Sequence, residues 1–117
     1  MSDKILIVPE SGEIIESGAY AGRGDVECVV VSEGVVEIGD EAFAFCDGLL
    51  SVTLPSTLKR IGKSAFQECV NLSKINLPQG IEEIGEAAFC NCLALPTPTV
   101  GCGVLLGELA FHHTKKV

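Results

Sequence analysis

The sequence predicts an α/β repeat solenoid, in which short parallel strands stack on one face and short helical turns stack on the opposite face. The phrase IGDEAFAFC at residues 38–46 returns almost unchanged as IGKSAFQEC at 61–69 and as IGEAAFCNC at 84–92. The second and third copies each follow a short alternating apolar run that ends at proline. Self-similarity at a fixed step of about 20 to 50 residues is typical of repeat architectures, in which each repeat packs only on its neighbours.

The step is 23 residues, because the three phrases begin at positions 38, 61 and 84. Several columns of identical residues keep this register, so we expect the apolar columns to form ladders inside the solenoid. The columns are Ile38, Ile61 and Ile84; Gly39, Gly62 and Gly85; Ala42, Ala65 and Ala88; Phe43, Phe66 and Phe89; Cys46, Cys69 and Cys92; and Leu49, Leu72 and Leu95.

The first element of each repeat is predicted to be a short strand. Apolar side chains alternate at Val52 and Leu54, and the run stops at Pro55. Alternation with a period of two is typical of a strand that is buried on one face, and proline cannot donate to a strand ladder. We therefore expect one strand of a parallel sheet in each repeat.

The second element is predicted to be a short helical turn over residues 40–46. Ala42, Phe43 and Cys46 lie at positions i, i+1 and i+4, which share one face of a helix. The preceding Gly39 is expected to permit a sharp entry that a side chain would hinder.

The whole chain, residues 1–117, is predicted to be one solenoid domain of about four and a half repeats. Residues 35–95 hold the regular repeats. Residues 1–34 are expected to form degenerate N-terminal repeats or a cap, and residues 96–117 a degenerate C-terminal repeat or cap. Worn terminal copies are expected in a solenoid, because an end repeat has a neighbour on one side only.

Composition narrows the class of partner. Apolar residues make up 47% of the chain and the formal net charge is −8. This acidity disfavours nucleic acid and anionic membranes, which reward lysine and arginine. No run approaches the ~20 apolar residues of a membrane span, and none resembles a signal peptide. We therefore expect a cytoplasmic protein if the sequence is complete, and a secreted or cell-surface one if it is part of a longer chain.

The pattern L-x-x-V-x-L-P-x-x-L-x-x-I-G-x-x-A-F-x-x-C, which residues 49–69 match throughout, resembles the BspA-type leucine-rich repeat. The resemblance covers nearly the whole chain. It implies a right-handed superhelix with the strands on a concave face, used for adhesion or protein binding. It implies no catalytic residue and no cofactor, and the family is found chiefly among bacterial surface proteins.

The outward positions of the strands are the candidate binding face. They are apolar in the first two repeats and polar in the next two, which suggests an apolar contact surface with a polar rim. The leading hypothesis is therefore a non-enzymatic module that binds a protein partner through this face. The predicted binding residues are Ile5, Ile7, Cys28, Val30, Ser51, Thr53, Lys74 and Asn76.

Other interpretations of these residues remain open. The N-terminal residues could fold over the first strand, or residues 5–8 could be buried on both faces. The chain could also be an assembly protein, a homo-oligomer joined through its solenoid ends or its strand faces.

A metal site near the C-terminus is a weaker alternative. Cys90, Cys92 and Cys102 lie near His112, but Cys92 belongs to a predicted ladder and the C-x-C spacing is unlike a zinc knuckle. In an oxidising compartment, Cys90 and Cys102 could instead form a disulfide. The sequence therefore predicts no metal, no cofactor and no enzyme activity.

Overall fold

A computed structural model describes residues 5–8, 12–101 and 103–115 as a parallel β-solenoid of about four turns. The strands of the first sheet are β1 (Ile5–Val8), β3 (Cys28–Val31), β5 (Ser51–Thr53) and β7 (Lys74–Ile75), in that spatial order. The second sheet runs β2 (Ile14–Ile15), β4 (Glu37–Ile38), β6 (Arg60–Ile61), β8 (Glu83–Ile84) and β9 (Leu105–Leu106). Every pairing in both sheets is parallel.

The predicted step of 23 residues sets the strand register. Leu6 pairs with Val29, Val29 with Val52, and Val52 with Ile75, so one apolar column runs along the inner face of the first sheet. Because side chains alternate between the two faces of a strand, the intervening residues point outward. The sequence therefore predicted correctly which side of each first-sheet strand faces the core.

The core consists of ladders that run the length of the solenoid. One ladder stacks five aromatic rings, Tyr20, Phe43, Phe66, Phe89 and Phe111, with neighbouring centroids 5.2 to 5.6 Å apart. The predicted isoleucine, alanine, cysteine and leucine columns are also buried in the regular repeats. A 117-residue chain without tryptophan thus builds its core by repeating one set of small contacts.

The prediction of helical turns is wrong, since the described residues contain strands and turns but no helix. Within residues 40–46, Glu41 and Phe45 adopt left-handed backbone angles, with φ of 59° and 62°. The amides of Glu41, Phe43 and Phe45 donate to carbonyls of the next repeat, over 2.8 Å in each case. A helix would direct those amides along its own axis, so bonding between repeats replaces bonding within the turn.

The second sheet was not predicted, because its strands are only two residues long and give little alternation. Each of them carries one buried isoleucine or an equivalent leucine, next to a charged residue or an apolar exposed one. The glycine that follows each of the later strands does not adopt a positive φ in the regular repeats. Its value lies in close packing instead: a Cβ at Gly39 would lie 2.7 Å from the carbonyl oxygen of Ile15.

The repeat pattern loosens after Leu95. Residues 97–101 form no strand, and Pro96 makes a single parallel bridge to Lys115. Thr114 is buried, and its hydroxyl donates to the carbonyl of Phe111 over 2.9 Å. A polar residue is tolerated there because its own hydroxyl finds an acceptor.

Candidate functional site

The outward side chains of the first sheet form a continuous surface, which we call the outer face. Ile5, Cys28, Ser51 and Lys74 share one register column. Ile7, Val30 and Thr53 share the column two residues on, and Asn76 follows β7 at the equivalent position. The structure therefore brings the eight predicted binding residues onto one face.

The N-terminal part of the outer face is apolar and accessible. The side chains of Ile5 and Ile7 are 58% and 62% exposed, and Cys28 and Val30 are half-buried. Strand β1 is consequently not buried on both faces, which removes one of the alternatives raised by the sequence. The proposed covering of this strand by the first residues of the chain concerns residues outside the described ranges.

The middle of the outer face changes from apolar to polar. The hydroxyl of Ser51 donates to the sulfur of Cys28 over 3.3 Å, while Thr53 is exposed. A partner that covers Ile5, Ile7, Cys28 and Val30 would therefore meet hydroxyl groups directly beside the apolar area. This arrangement resembles an apolar interface centre with a polar rim on one side.

Asn76 has a structural task in addition to its place on the outer face. Its Nδ2 donates to the carbonyl oxygen of Leu54 over 3.0 Å, and the amide of Leu54 donates to its Oδ1 over 2.8 Å. The side-chain amide thus continues the backbone ladder where β7 has already ended. The strand pattern placed Asn76 correctly but could not show that its hydrogen-bonding groups are already used.

A shallow groove of about 640 Å³ lies beside β7, where the next strand of the first sheet would be expected. Its floor includes Val52 and Ile75, and its far wall is formed by Leu95, Pro96 and Pro98. The two prolines lack amide donors, so this segment is poorly suited to continue the sheet. The sequence identified the prolines as strand breakers but did not identify the groove that they border.

The outer side of the second sheet is charged rather than apolar. The guanidinium of Arg60 lies 3.8 Å from carboxylate oxygens of both Glu37 and Glu83, and all three side chains are well exposed. Exposed ion pairs of this kind contribute on the order of 0.2–1 kcal/mol each. This ladder of charges keeps the surface soluble and does not resemble a reactive site.

The described residues contain no group of three or more metal-ligating side chains that could hold an ion. Cys90 is buried, and the pKa of its thiol is raised by burial and by the negative charge of Glu68. Its proposed partner Cys102 lies outside the described ranges. His113 contacts Asn91, with Nδ1 and Oδ1 2.9 Å apart, rather than a cysteine. Nor does any helix of the described chain have the length and apolarity of a membrane span.

Three solved structures of bacterial leucine-rich repeat proteins resemble this chain. The T. pallidum leucine-rich repeat protein is 27% identical, with a TM-score of 0.86 over 93% of this chain and 54% of its own. The pneumococcal vaccine antigen PcpA is 26% identical, with a TM-score of 0.77 over 97% of this chain and 29% of its own. A leucine-rich repeat protein from Bacteroides ovatus is 26% identical, with a TM-score of 0.70 over 94% of this chain and 34% of its own.

The chain thus spans about half of the first of these proteins and a third or less of the other two. Among curated proteins, none matches the chain closely enough to count as a relative. The sequence does match the family described as the BspA type leucine rich repeat region, in 6 copies over residues 4–117. The structure has the predicted strand ladders, and the match covers almost every residue, so the chain belongs to the BspA-type leucine-rich repeat family.

Proposed function

We propose that the chain is a non-enzymatic module that binds a protein partner through the outer face of the first sheet. The observation that carries this proposal is the exposure of Ile5 and Ile7 beside the half-buried Cys28 and Val30. Contiguous exposed apolar residues with a polar border are typical of protein contact surfaces. Membership of a repeat family that generally serves protein interaction or surface adhesion supports the same function.

The rigidity of the face favours binding. Each strand that carries it is held by backbone hydrogen bonds to the neighbouring repeats and by the stacked core. Little conformational freedom is therefore lost when a partner docks, which leaves more of the contact energy for affinity. We expect Ile7 and Val30 to lie near the centre of the contact, with Ser51 and Thr53 at its border.

We also propose that the module works at the cell surface or in the secreted medium, in place of the cytoplasmic location expected from the sequence. One of the similar structures is a pneumococcal vaccine antigen. An antigen that serves in a vaccine must be reachable by antibodies, and the present chain shares most of its fold with part of that protein. Nothing catalytic is needed for such a role.

The test is capture of partners from the source's lysate and culture fluid by the wild type and by an Ile7→Lys, Val30→Lys double variant. The matched control carries Leu50→Lys and Leu93→Lys, which replace two other exposed leucines and add the same charge. All three baits must first show the same circular dichroism spectrum. We expect a protein that binds the wild type and the control, but not the outer-face variant, both in capture and after purification.

If the outer-face variant retains every partner that the wild type binds, the proposed site is wrong. Loss of binding in the control as well would show that added charge, rather than the outer face, is responsible. Purified pairs should then give a Kd at least ~100-fold weaker for the double variant, because two buried apolar contacts are worth about 3 kcal/mol or more.

A further inference from the structure

The glycine that follows each second-sheet strand is a contact residue between successive repeats. A Cβ at Gly39 would lie 2.7 Å from both the carbonyl oxygen of Ile15 and the amide nitrogen of Ser17. A Cβ at Gly85 would lie 2.7 Å from the backbone of Gly62 and Lys63. Carbon does not approach backbone atoms this closely, so any other residue would force neighbouring repeats apart.

This glycine column is broken at the first repeat. Ile15 pairs with Ile38, so the residue that occupies the column position before Gly39 is Glu16. Glu16 has a Cβ, and that atom points toward the place where a preceding repeat would lie. By the same geometry, it would meet the backbone of Leu106 and Glu108 if a second copy were stacked there in the regular register.

The two ends of the solenoid otherwise carry matching hydrogen-bonding groups. At an internal junction, the amides of Glu41, Phe43 and Phe45 donate to the following repeat. Among the described residues, the equivalent amides at the C-terminal end have no backbone acceptor; they belong to Leu109, Phe111 and His113. The equivalent carbonyls at the N-terminal end likewise have no backbone donor within the described chain; they belong to Ser17, Ala19 and Ala21.

The apolar demand at the two ends differs. Leu106 continues the buried isoleucine column but is 46% exposed, whereas Ile15 at the other end of that column is 2% exposed. The C-terminal end would therefore gain from being covered, and the N-terminal end would gain little. Matching backbone groups and an uncovered leucine favour head-to-tail stacking, while Glu16 opposes it.

We propose that the Cβ of Glu16 closes the N-terminal end of the solenoid to a second copy of the chain, while the C-terminal end stays open to a repeat with glycine at the matching position. The open end is a surface distinct from the outer face of the first sheet. A heterologous contact of this kind does not close on itself and would otherwise build filaments. Glu16 thus keeps identical chains apart without covering the edge of β9.

The experiment compares Glu16→Gly with Glu16→Ala by light scattering and sedimentation over a wide range of concentrations. Alanine removes the charge but keeps the Cβ, and glycine removes both. We expect the wild type and Glu16→Ala to keep the monomer mass of 12.3 kDa. We expect the mass of Glu16→Gly to rise continuously with concentration, without stopping at a dimer.

A second substitution fixes the direction of stacking. Leu106→Lys places a charge in the column that would become buried, whereas Leu105→Lys lies on the outward side of β9 and would remain exposed. We therefore expect Glu16→Gly with Leu106→Lys to be monomeric, and Glu16→Gly with Leu105→Lys to associate. Mixed with wild type, the former should form a 1:1 complex of twice the monomer mass, because only one junction can form.

The proposal is overturned if Glu16→Ala associates as strongly as Glu16→Gly, since charge would then be the barrier. It is equally overturned if Glu16→Gly stays monomeric, or if the wild type stacks in a way that Leu106→Lys abolishes. None of these variants alters Ile7 or Val30, so failure here would leave the proposed partner binding standing, and the reverse.

Discussion

The thiol of Cys92 donates a hydrogen bond to the carbonyl oxygen of Phe66, with sulfur and oxygen 3.0 Å apart. The same contact joins Cys69 to Phe43 over 3.1 Å and Cys46 to Tyr20 over 3.3 Å. Each cysteine of the column therefore satisfies a carbonyl in the turn of the preceding repeat. An alanine would fill much of the same space but would leave that carbonyl without its donor.

Stability should fall at alkaline pH because of this column. Burial raises the pKa of the Cys92 thiol to about 12, from about 9.0. A raised pKa in the folded state contributes stability below the pKa of the unfolded thiol, and that contribution is lost as the pH rises toward 12. We expect Cys92 to lower the free energy of unfolding by up to about 1.4 kcal/mol per pH unit in this window.

The measurement is urea unfolding between pH 7 and 11, with Cys92→Ala as the control. The variant is expected to be less stable at pH 7, but its stability should fall less steeply above pH 9, because one fewer buried thiol resists ionisation. Parallel pH profiles for the wild type and the variant would contradict this account of Cys92.

The aromatic ladder should be most sensitive at its centre. Phe66 is fully buried, and its ring centroid lies 5.2 Å from those of both Phe43 and Phe89. We expect Phe66→Ala to lower the free energy of unfolding by about 3–5 kcal/mol, a large share of the ~5–15 kcal/mol typical of a domain.

Tyr20→Ala is the matched comparison, because Tyr20 is half-buried and stacks on Phe43 at the N-terminal end of the ladder. It should cost roughly half as much or less by urea unfolding, since fewer contacts and less apolar area are lost. Equal losses at both positions would argue against a ladder whose strength depends on having neighbours on both sides.

The left-handed turn at Glu41 should tolerate glycine better than a strand position does. Glu41 is exposed and has a φ of 59°, a region that costs residues with a Cβ about 1–2 kcal/mol. Glycine has no such cost but loses more freedom on folding, by about 0.5–1 kcal/mol. We therefore expect Glu41→Gly to be neutral or to stabilise the fold by up to about 1 kcal/mol.

Glu82→Gly provides the control, since Glu82 is also exposed but has no positive φ. The two variants share the same change in the unfolded chain, so their difference isolates the turn. Thermal unfolding should show a higher Tm for Glu41→Gly than for Glu82→Gly. The opposite order would mean that the Glu41 side chain stabilises its turn through contacts.

The repeat step and the buried columns could be predicted because each column is a one-residue pattern repeated in register. Phe43, Phe66 and Phe89 needed no three-dimensional information beyond the step of 23 residues. The turns could not be predicted in the same way. Ala42, Phe43 and Cys46 have helical spacing, but their buried positions are equally compatible with a turn in which alternate amides bond to the next repeat.

The composition of the binding face was predictable for a similar reason, because strand alternation alone assigns Ile5 and Ile7 to the outward side. Side-chain hydrogen bonding was not, as the two contacts of Asn76 depend on where β7 ends. The significance of Glu16 was also hidden in the sequence, since a single break in a glycine column has meaning only once the distances between repeats are known.

Asn76 should behave as a structural residue rather than as a binding residue. Its side-chain amide both accepts from and donates to the backbone of Leu54, so Asn76→Ala removes two hydrogen bonds at the end of β7. At about 0.5–1.5 kcal/mol per bond, we expect the free energy of unfolding to fall by about 1–3 kcal/mol. Asn76→Asp keeps the acceptor but sets a carboxylate against the Leu54 carbonyl, so it should be no more stable than Asn76→Ala at pH 7. Thr53→Ala, which removes an exposed hydroxyl from the same face, is the control and should change stability by less than about 0.5 kcal/mol. If Asn76→Ala unfolds at the same urea concentration as the wild type yet weakens partner binding, the amide contributes to recognition and its contacts with Leu54 are dispensable.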